Sequence, residues 1–412
     1  MKFYYGWYIV IGSALCQFVC MAVSQVVVGV LMTPVIDELD WKVWQFTFGL
    51  SVALASGALS SVIVGKIVDF RGPKLLILCG SFISIICLVL LGLQSNILAF
   101  MALYAIGGLL GWSLFGQMVV NATVSKWFVE KRGWALSIGS MGSSLAFVIT
   151  PFLFTILVDG AGWRIGYFAL AILVTVVIVP TSFFMRRQPE DYGLNPDGKG
   201  KGDISKNFRI ISKSNLTRSQ AIKTYPFWAI TVGFALITGG LMGIFVHAIP
   251  FAEESGFSRN IGAVALSING IGNLFSKLVW GYFLQQFETR KLIIIAYSLT
   301  SLGVILILIS GQTKNDYLLF AGFLCYGIGF SATVPFNEFI TAQYFGRDHI
   351  GAIRGVSYPL TTVGTLVGPI LTGYWFDISK TYVPAFMTII LVYVVGTVIT
   401  CSARKPKNIP SR

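Results

Sequence analysis

The stretch Gly65-Lys66-Ile67-Val68-Asp69-Phe70-Arg71-Gly72-Pro73-Lys74 separates two long apolar runs, 44–67 and 75–93. It packs Lys66, Asp69, Arg71 and Lys74 around a Gly-Pro step. About 20 apolar residues span the hydrocarbon core of a bilayer as a helix. The stretch therefore predicts a membrane hairpin with a charged tip. The same pattern recurs outward along the chain. Twelve apolar runs lie near 7–33, 44–67, 75–93, 97–126, 133–158, 164–185, 227–252, 260–286, 291–310, 315–344, 351–376 and 384–403. Lipid offers the backbone no hydrogen-bond partners, so unbroken helices are the expected spanning element. The first run follows a single Lys and shows no small-residue cleavage site, which predicts an uncleaved first helix.

Composition agrees. The chain is 55% hydrophobic and 11% charged, against about 25% charged for a soluble domain. That excludes a water-soluble fold, disorder and coiled coil. The alternation of an outer-membrane barrel is absent. The net charge of +13 is explained by topology. With both termini inside, the cytoplasmic segments hold 24 of the 30 Lys and Arg. The outer segments hold Lys42, Arg164, Arg259, Lys314 and Lys380, and Lys277 lies within a span. Acidic residues divide evenly, with Glu338 inside a span. This is the positive-inside pattern of a cytoplasmic (inner) membrane protein with both termini cytoplasmic, and it leaves no basic face for nucleic acid. Six cysteines fall in apolar runs, which leads us to expect small buried residues, and none has metal-ligand spacing with histidine. No nucleotide loop, hydrolase elbow or metal cluster is visible, so neither an enzyme nor a cofactor is expected.

The longest polar stretch, 186–225, divides the runs six and six. The expected organisation is an N-terminal six-helix bundle over 1–185, a cytoplasmic linker over 186–225 and a C-terminal six-helix bundle over 226–412. The halves repeat weakly. Tyr4-Tyr5-Gly6-Trp7 parallels Tyr225-Pro226-Phe227-Trp228. Trp127-Phe128, Pro151 and Asp159 parallel Tyr344-Phe345, Pro369 and Asp377. A duplicated six-helix unit signals a transporter of two halves with its site near the midplane.

These features resemble the major facilitator superfamily. Gly65, Asp69, Gly72 and Lys74 match its loop pattern Gly-x-x-x-Asp-x-x-Gly-x-Lys/Arg. The resemblance implies a gate in which Asp69 meets Arg or helix N-terminal partners, with Arg71, Lys131 and Arg132 nearby. The second copy has Gln285 in place of the acid. Trp127-Phe128-x-x-Lys131-Arg132-Gly133-x-Ala135-x-x-x-Gly139 resembles the monocarboxylate transporters and oxalate:formate antiporters. So do Gly6-Trp7 and Phe227-Trp228. In those families a span 8 arginine binds the substrate carboxylate; the matching residue is Lys277, before Trp280-Gly281. Asn273 replaces an acid, Gln25 a span 1 lysine, and Thr361 a second cation.

The residues support the same focus. Lys277 and Glu338 are the formal charges well inside spans, where a charge costs about 2.5–3.5 kcal/mol or more. Asn269, Asn273 and Lys277 recur every four residues and share one helical stripe. Lys277 is the candidate carboxylate ligand, with Asn273 and Asn269 as neutral donors; a structural Lys277–Glu338 pair is the alternative. Glu338 is the candidate proton carrier, or else a permanently ionised partner for Lys277 or Arg354. His247 suits pH-sensitive gating or a substrate hydrogen bond, or an interfacial structural role. Gln25, Gln117, Asn121 and Tyr358 are further cavity candidates. Gly107, Gly108 and Gly111 predict close helix packing. The expected fold is an all-α membrane protein with twelve transmembrane helices in two six-helix bundles. The expected function is secondary active transport of a small organic anion, a monocarboxylate first, by alternating access and coupled to protons. Carboxylate antiport and efflux of an amphipathic compound are the alternatives. The resemblance implies a monomer.

Overall fold

A computed structural model describes residues 4–198 and 216–405, so 199–215 of the expected linker lies outside it. All regular structure among these residues is helical. Twelve long helices follow in order. They are α1 Gly6–Leu39, α2 Val43–Arg71, α3 Pro73–Leu93, α4 Ile97–Trp127, α5 Arg132–Ala161 and α6 Trp163–Phe184. Next come α7 Tyr225–Val246, α8 Arg259–Gln286, α9 Thr289–Thr313, α10 Asp316–Phe345, α11 Ile350–Ser379 and α12 Val383–Ser402. Among the described residues, eleven helices are long and apolar enough to cross a membrane. The remaining one, α11, has 30 residues and the length to do so. It is less apolar because Arg354, Ser357, Tyr358, Thr361, Thr362 and Thr365 fall along it.

The chain divides into two compact units, 1–217 with 345–359, and 218–344 with 360–412. The same pairings recur in each. In the first unit α1 packs on α5, α2 on α4, and α3 on α6. In the second α8 packs on α10, and α9 and α7 pack on α12. There α7 also meets α11, where a Cβ on Gly239 would lie 3.0 Å from the Gly364 carbonyl. Small residues set these distances, since lipid supplies no hydrophobic drive between helices and close packing must do so.

The spans are not all unbroken. In α4 a wide turn, Gly107–Gly111, leads into a tight one, Trp112–Phe115, and a new helix begins at Gln117. Gly107, Gly108, Gly111 and Gly116 explain the break, because glycine is a poor helix former. A Cβ on Gly111 would lie 2.8 Å from Ser84 Oγ of α3, so these glycines also permit the close approach expected of them. Ala22–Val26 forms a second wide turn within α1. In α10 the helix is interrupted at Ala332, one turn before Pro335, whose missing N–H leaves a carbonyl unpaired.

Candidate functional site

The midplane candidates of the second unit centre on α8. Its exposed row, Val264, Ser267, Ile271, Phe275, Val279 and Tyr282, is apolar but for Ser267. At 100° per residue, Lys277 falls on roughly the opposite side, and it is 3% exposed. Between the two rows lies the face that packs on α10. Ser276 Oγ pairs with Ser331 Oγ at 2.7 Å, and Trp280 Nε1 donates to the Ile328 carbonyl at 2.8 Å. Asn269 belongs to that contact. A Cβ on Gly327 would come within 2.6 Å of its Oδ1, and this buried oxygen has no partner among the described residues. Asn273, half-buried, lies between Asn269 and Lys277 in angle. The stripe read from the sequence is thus divided: Asn269 packs against α10, Asn273 is half-buried and Lys277 is buried. Glu338 is 2% exposed on α10, beside buried Asn337 and Thr341.

His247 ends α7, where its φ of −97° and ψ of 12° turn the chain into the short helix Ala248–Glu254. Its Nε2 faces the Pro369 carbonyl at 3.0 Å and its Nδ1 the Tyr382 hydroxyl at 3.2 Å. A carbonyl only accepts, so Nε2 carries the proton and Nδ1 accepts from the tyrosine. Both ring nitrogens are thereby engaged in tying α7 to α11 and to the residue before α12.

The loop motif assembles in the first unit. The Asp69 carboxylate pairs with Lys126 Nζ at 2.8 Å, both side chains being 3% exposed. Its two oxygens also accept the N–H groups of Gly351 at 3.2 Å and Ala352 at 2.7 Å, in the first turn of α11. A carboxylate at a helix N-terminus is favoured by the orphan amides and the helix dipole. Gly65 allows this approach, because a Cβ there would collide with the Gly351 carbonyl. Gly72 has φ 80° and ψ 179°, a conformation open essentially to glycine alone. Arg132 is buried and donates to the Phe128 and Ser125 carbonyls at 3.1 Å each, capping the end of α4. The side chains of Arg71, Lys74 and Lys131 are exposed.

Behind the motif, residues 186–198 lie ordered against the first unit. Asp197 accepts three backbone N–H groups, from Val129, Glu130 and Lys131, at 2.9–3.0 Å. Arg347 donates to the Lys126 carbonyl at 2.7 Å and pairs with Glu190. Arg187 holds Asp191 bidentately at 2.7 and 2.8 Å, and this bonding keeps the Asp191 carboxyl below its ordinary range.

The remaining cavity candidates belong to the first unit. Gln25 is exposed in the wide turn of α1, Gln117 and Tyr358 are half-buried, and Asn121 is buried. Asn121 Oδ1 accepts from Gln17 Nε2 at 3.0 Å.

The family model of the Major Facilitator Superfamily matches residues 13–358 and 248–411. The chain belongs to the Major Facilitator Superfamily. It is 21% identical over 360 residues to an uncharacterised MFS-type transporter, YcxA, of Bacillus subtilis (strain 168), covering 85% of this chain and 84% of that one. It is also 21% identical to human monocarboxylate transporter 11, covering 84% and 70%. The structure of the proton:xylose symporter XylE superposes with a TM-score of 0.77 at 13% identity, covering 97% and 95%. As a superfamily member the chain is an integral membrane transporter of small molecules, not an enzyme.

Sequence reading missed several partners in this superfamily member. Lys126 is the last residue of the apolar run 97–126, yet it is buried against Asp69. Gln17 reads as one more polar residue of α1. The Gly351-x-x-x-Gly355 spacing was a usable signal. A Cβ on Gly351 would lie 3.0 Å from Asp69 Oδ1, and Ser61 Oγ donates to the Gly355 carbonyl at 3.0 Å.

Proposed function

We propose that this transporter carries small organic anions, monocarboxylates first, by alternating access coupled to protons. The reading rests on one observation: a lysine, Lys277, 3% exposed within apolar α8 and set opposite its exposed apolar row. An ionisable residue held at such depth is tolerated where it meets a substrate, an ion path or a partner. Its ammonium binds the carboxylate, and Asn273, the next polar residue on that stripe, adds a neutral hydrogen bond. Glu338 exchanges the coupling proton. Asp69, with Lys126 and the start of α11, forms a latch that opens and closes during the cycle. The protein lies in the cytoplasmic membrane with both termini inside, and works as a monomer.

Counterflow in proteoliposomes with a panel of labelled carboxylates, with and without a pH gradient, tests the reading. Saturable exchange of at least one carboxylate is expected, accelerated by an inward proton gradient. Lys277→Gln should weaken carboxylate affinity at least about tenfold, the value of one charge-assisted contact. Glu338→Gln should keep exchange at equal pH and lose the acceleration. Normal affinity in Lys277→Gln removes the substrate role, and proton-driven uptake surviving in Glu338→Gln removes the coupling role.

A further inference from the structure

We propose that Tyr344 and Arg290 are positioning residues for Glu338, which they serve by tying the inner half of α10 to the end of α12. The proposal rests on the reading of Glu338 as the proton carrier and adds what keeps that carboxyl in place.

Two spans are broken at corresponding points of the two units. In α4 a helix of 11 residues, Gln117–Trp127, starts after Gly116. In α10 a helix of 13 residues, Thr333–Phe345, starts after Ala332. A break interrupts the hydrogen-bond ladder through which one half of a span would fix the other. The position of each inner half is then set by its neighbours. The inner halves also carry buried charge, Lys126 of the Asp69 pair on α4 and Glu338 on α10.

Both inner halves end in the same kind of tie. Buried Trp127 donates its Nε1–H to the Arg186 carbonyl, just past α6, at 3.1 Å. Buried Tyr344 donates its hydroxyl to the Ala403 carbonyl, just past α12, at 3.2 Å. In each unit the two partners are 59 residues apart. The second tie has a further member. Arg290, in the first turn of α9, donates its Nε–H to the Tyr344 oxygen at 3.2 Å and a second N–H to the Ala403 carbonyl. The three groups close a triangle, in which the phenol oxygen accepts from the guanidinium and donates to the carbonyl. A charged donor makes these bonds stronger than neutral ones, and the carbonyl they meet belongs to a fully buried residue.

The rest of the half-helix is held to α9 as well. Thr289 Oγ1 donates to Gln343 Oε1 at 3.3 Å, beside the triangle. At the opposite end the Tyr297 hydroxyl donates to Thr333 Oγ1 at 3.3 Å. Glu338 lies midway between these anchors. At 100° per residue Tyr344 points about 120° away from it, so the tie acts on Glu338 through the half-helix. Lys277, on α8, is no part of the tie.

Hydrogen exchange of the full chain in detergent reads the tie without any substrate. Tyr344→Phe and Arg290→Met should each speed exchange of residues 333–345 about tenfold, with the melting temperature little changed. Labelling of Glu338 by a hydrophobic carbodiimide, read by mass spectrometry, should quicken in the same two variants, because the loosened half-helix opens locally. Arg290→Lys keeps a charged donor and should stay near the wild type in both measurements. In counterflow, Tyr344→Phe and Arg290→Met should lose acceleration by a proton gradient and keep exchange at equal pH. Should Arg290→Met fail to fold, Tyr344→Phe, which deletes one oxygen, carries the test. Unchanged exchange of 333–345 in Tyr344→Phe overturns the tie. Faster exchange with unaltered labelling of Glu338 overturns the positioning role. Faster exchange and faster labelling, with Arg290→Lys near the wild type, support it. They do so also if Glu338→Gln keeps proton-driven uptake, a result that removes the proton-carrier reading alone.

Discussion

Asp69 shows how much one side chain accomplishes when its surroundings are built for it. A buried carboxylate is costly, and here an ammonium and two backbone amides offset that cost. Asp69→Asn removes the charge and leaves Lys126 buried beside a neutral amide. Thermal unfolding in detergent should show a loss on the order of 3 kcal/mol, and a paired Asp69→Asn, Lys126→Met variant should recover part of it. Gly72 is a second single-residue requirement. A Cβ there would lie 2.7 Å from the Arg187 Cβ, in addition to the forbidden backbone angles. Gly72→Ala should lower stability by about 2 kcal/mol, read as a fall in melting temperature. Asp191 makes a prediction in pH. Its carboxyl is depressed in the folded chain by Arg187, so the contribution of this pair is complete above the unfolded value of about 3.9. It is lost as pH falls through the lower folded value. The protection of residues 186–198 from hydrogen exchange, relative to the unstructured chain at the same pH, should therefore fall below about pH 4, and in Asp191→Asn it should be low at neutral pH as well.

Among the elements, α2 and α11 meet through small residues, and this meeting brings Asp69 to the first turn of α11. Gly65 and Gly351 approach backbone to backbone, with Ser61 and Gly355 one turn further along. A side chain on Gly351 would push α11 away and remove both amide contacts of Asp69. Gly351→Val should therefore make a cysteine at Val68, buried against Gly351, react faster with a membrane-impermeant thiol reagent added from the side of the Gly65–Lys74 loop, in a chain freed of its native cysteines. An unchanged labelling rate would show that the crossing is not what holds this end. The broken α4 is the other element whose irregularity has a use. Gly107, Gly108 and Gly111 were legible in the sequence as a packing face. They were not legible as a break, because helix-compatible glycines and helix-ending glycines look alike until neighbouring side chains fix the backbone. Ser84 against Gly111 and the Gly116 turn settle it here.

For the whole molecule, the charge asymmetry predicts orientation. Single cysteines at Gln188 and Asn315 should label from opposite sides of the membrane, Gln188 from the cytoplasmic side; labelling of both from one side would overturn the topology. Twelve long helices, their order and their superfamily were determined by sequence alone. Runs of apolar residues interrupted by Gly-Pro and charged tips leave a chain in lipid few alternatives, since every backbone group must be bonded within its own segment. Lys277 was visible as a charge where charge is expensive, and the Gly65–Lys74 motif as a charged tip between two apolar runs. Tertiary structure alone decided the partners. Lys126 rather than an arginine meets the Asp69 carboxylate, and Asn269 turns to α10 and not to the face of Lys277. His247 spends both ring nitrogens on neighbouring helices, and the linker residues 186–198 cap and clasp the first unit. A sequence specifies which residues are polar, but in a bundle of similar helices only the rotation and depth of each helix determine which polar groups meet.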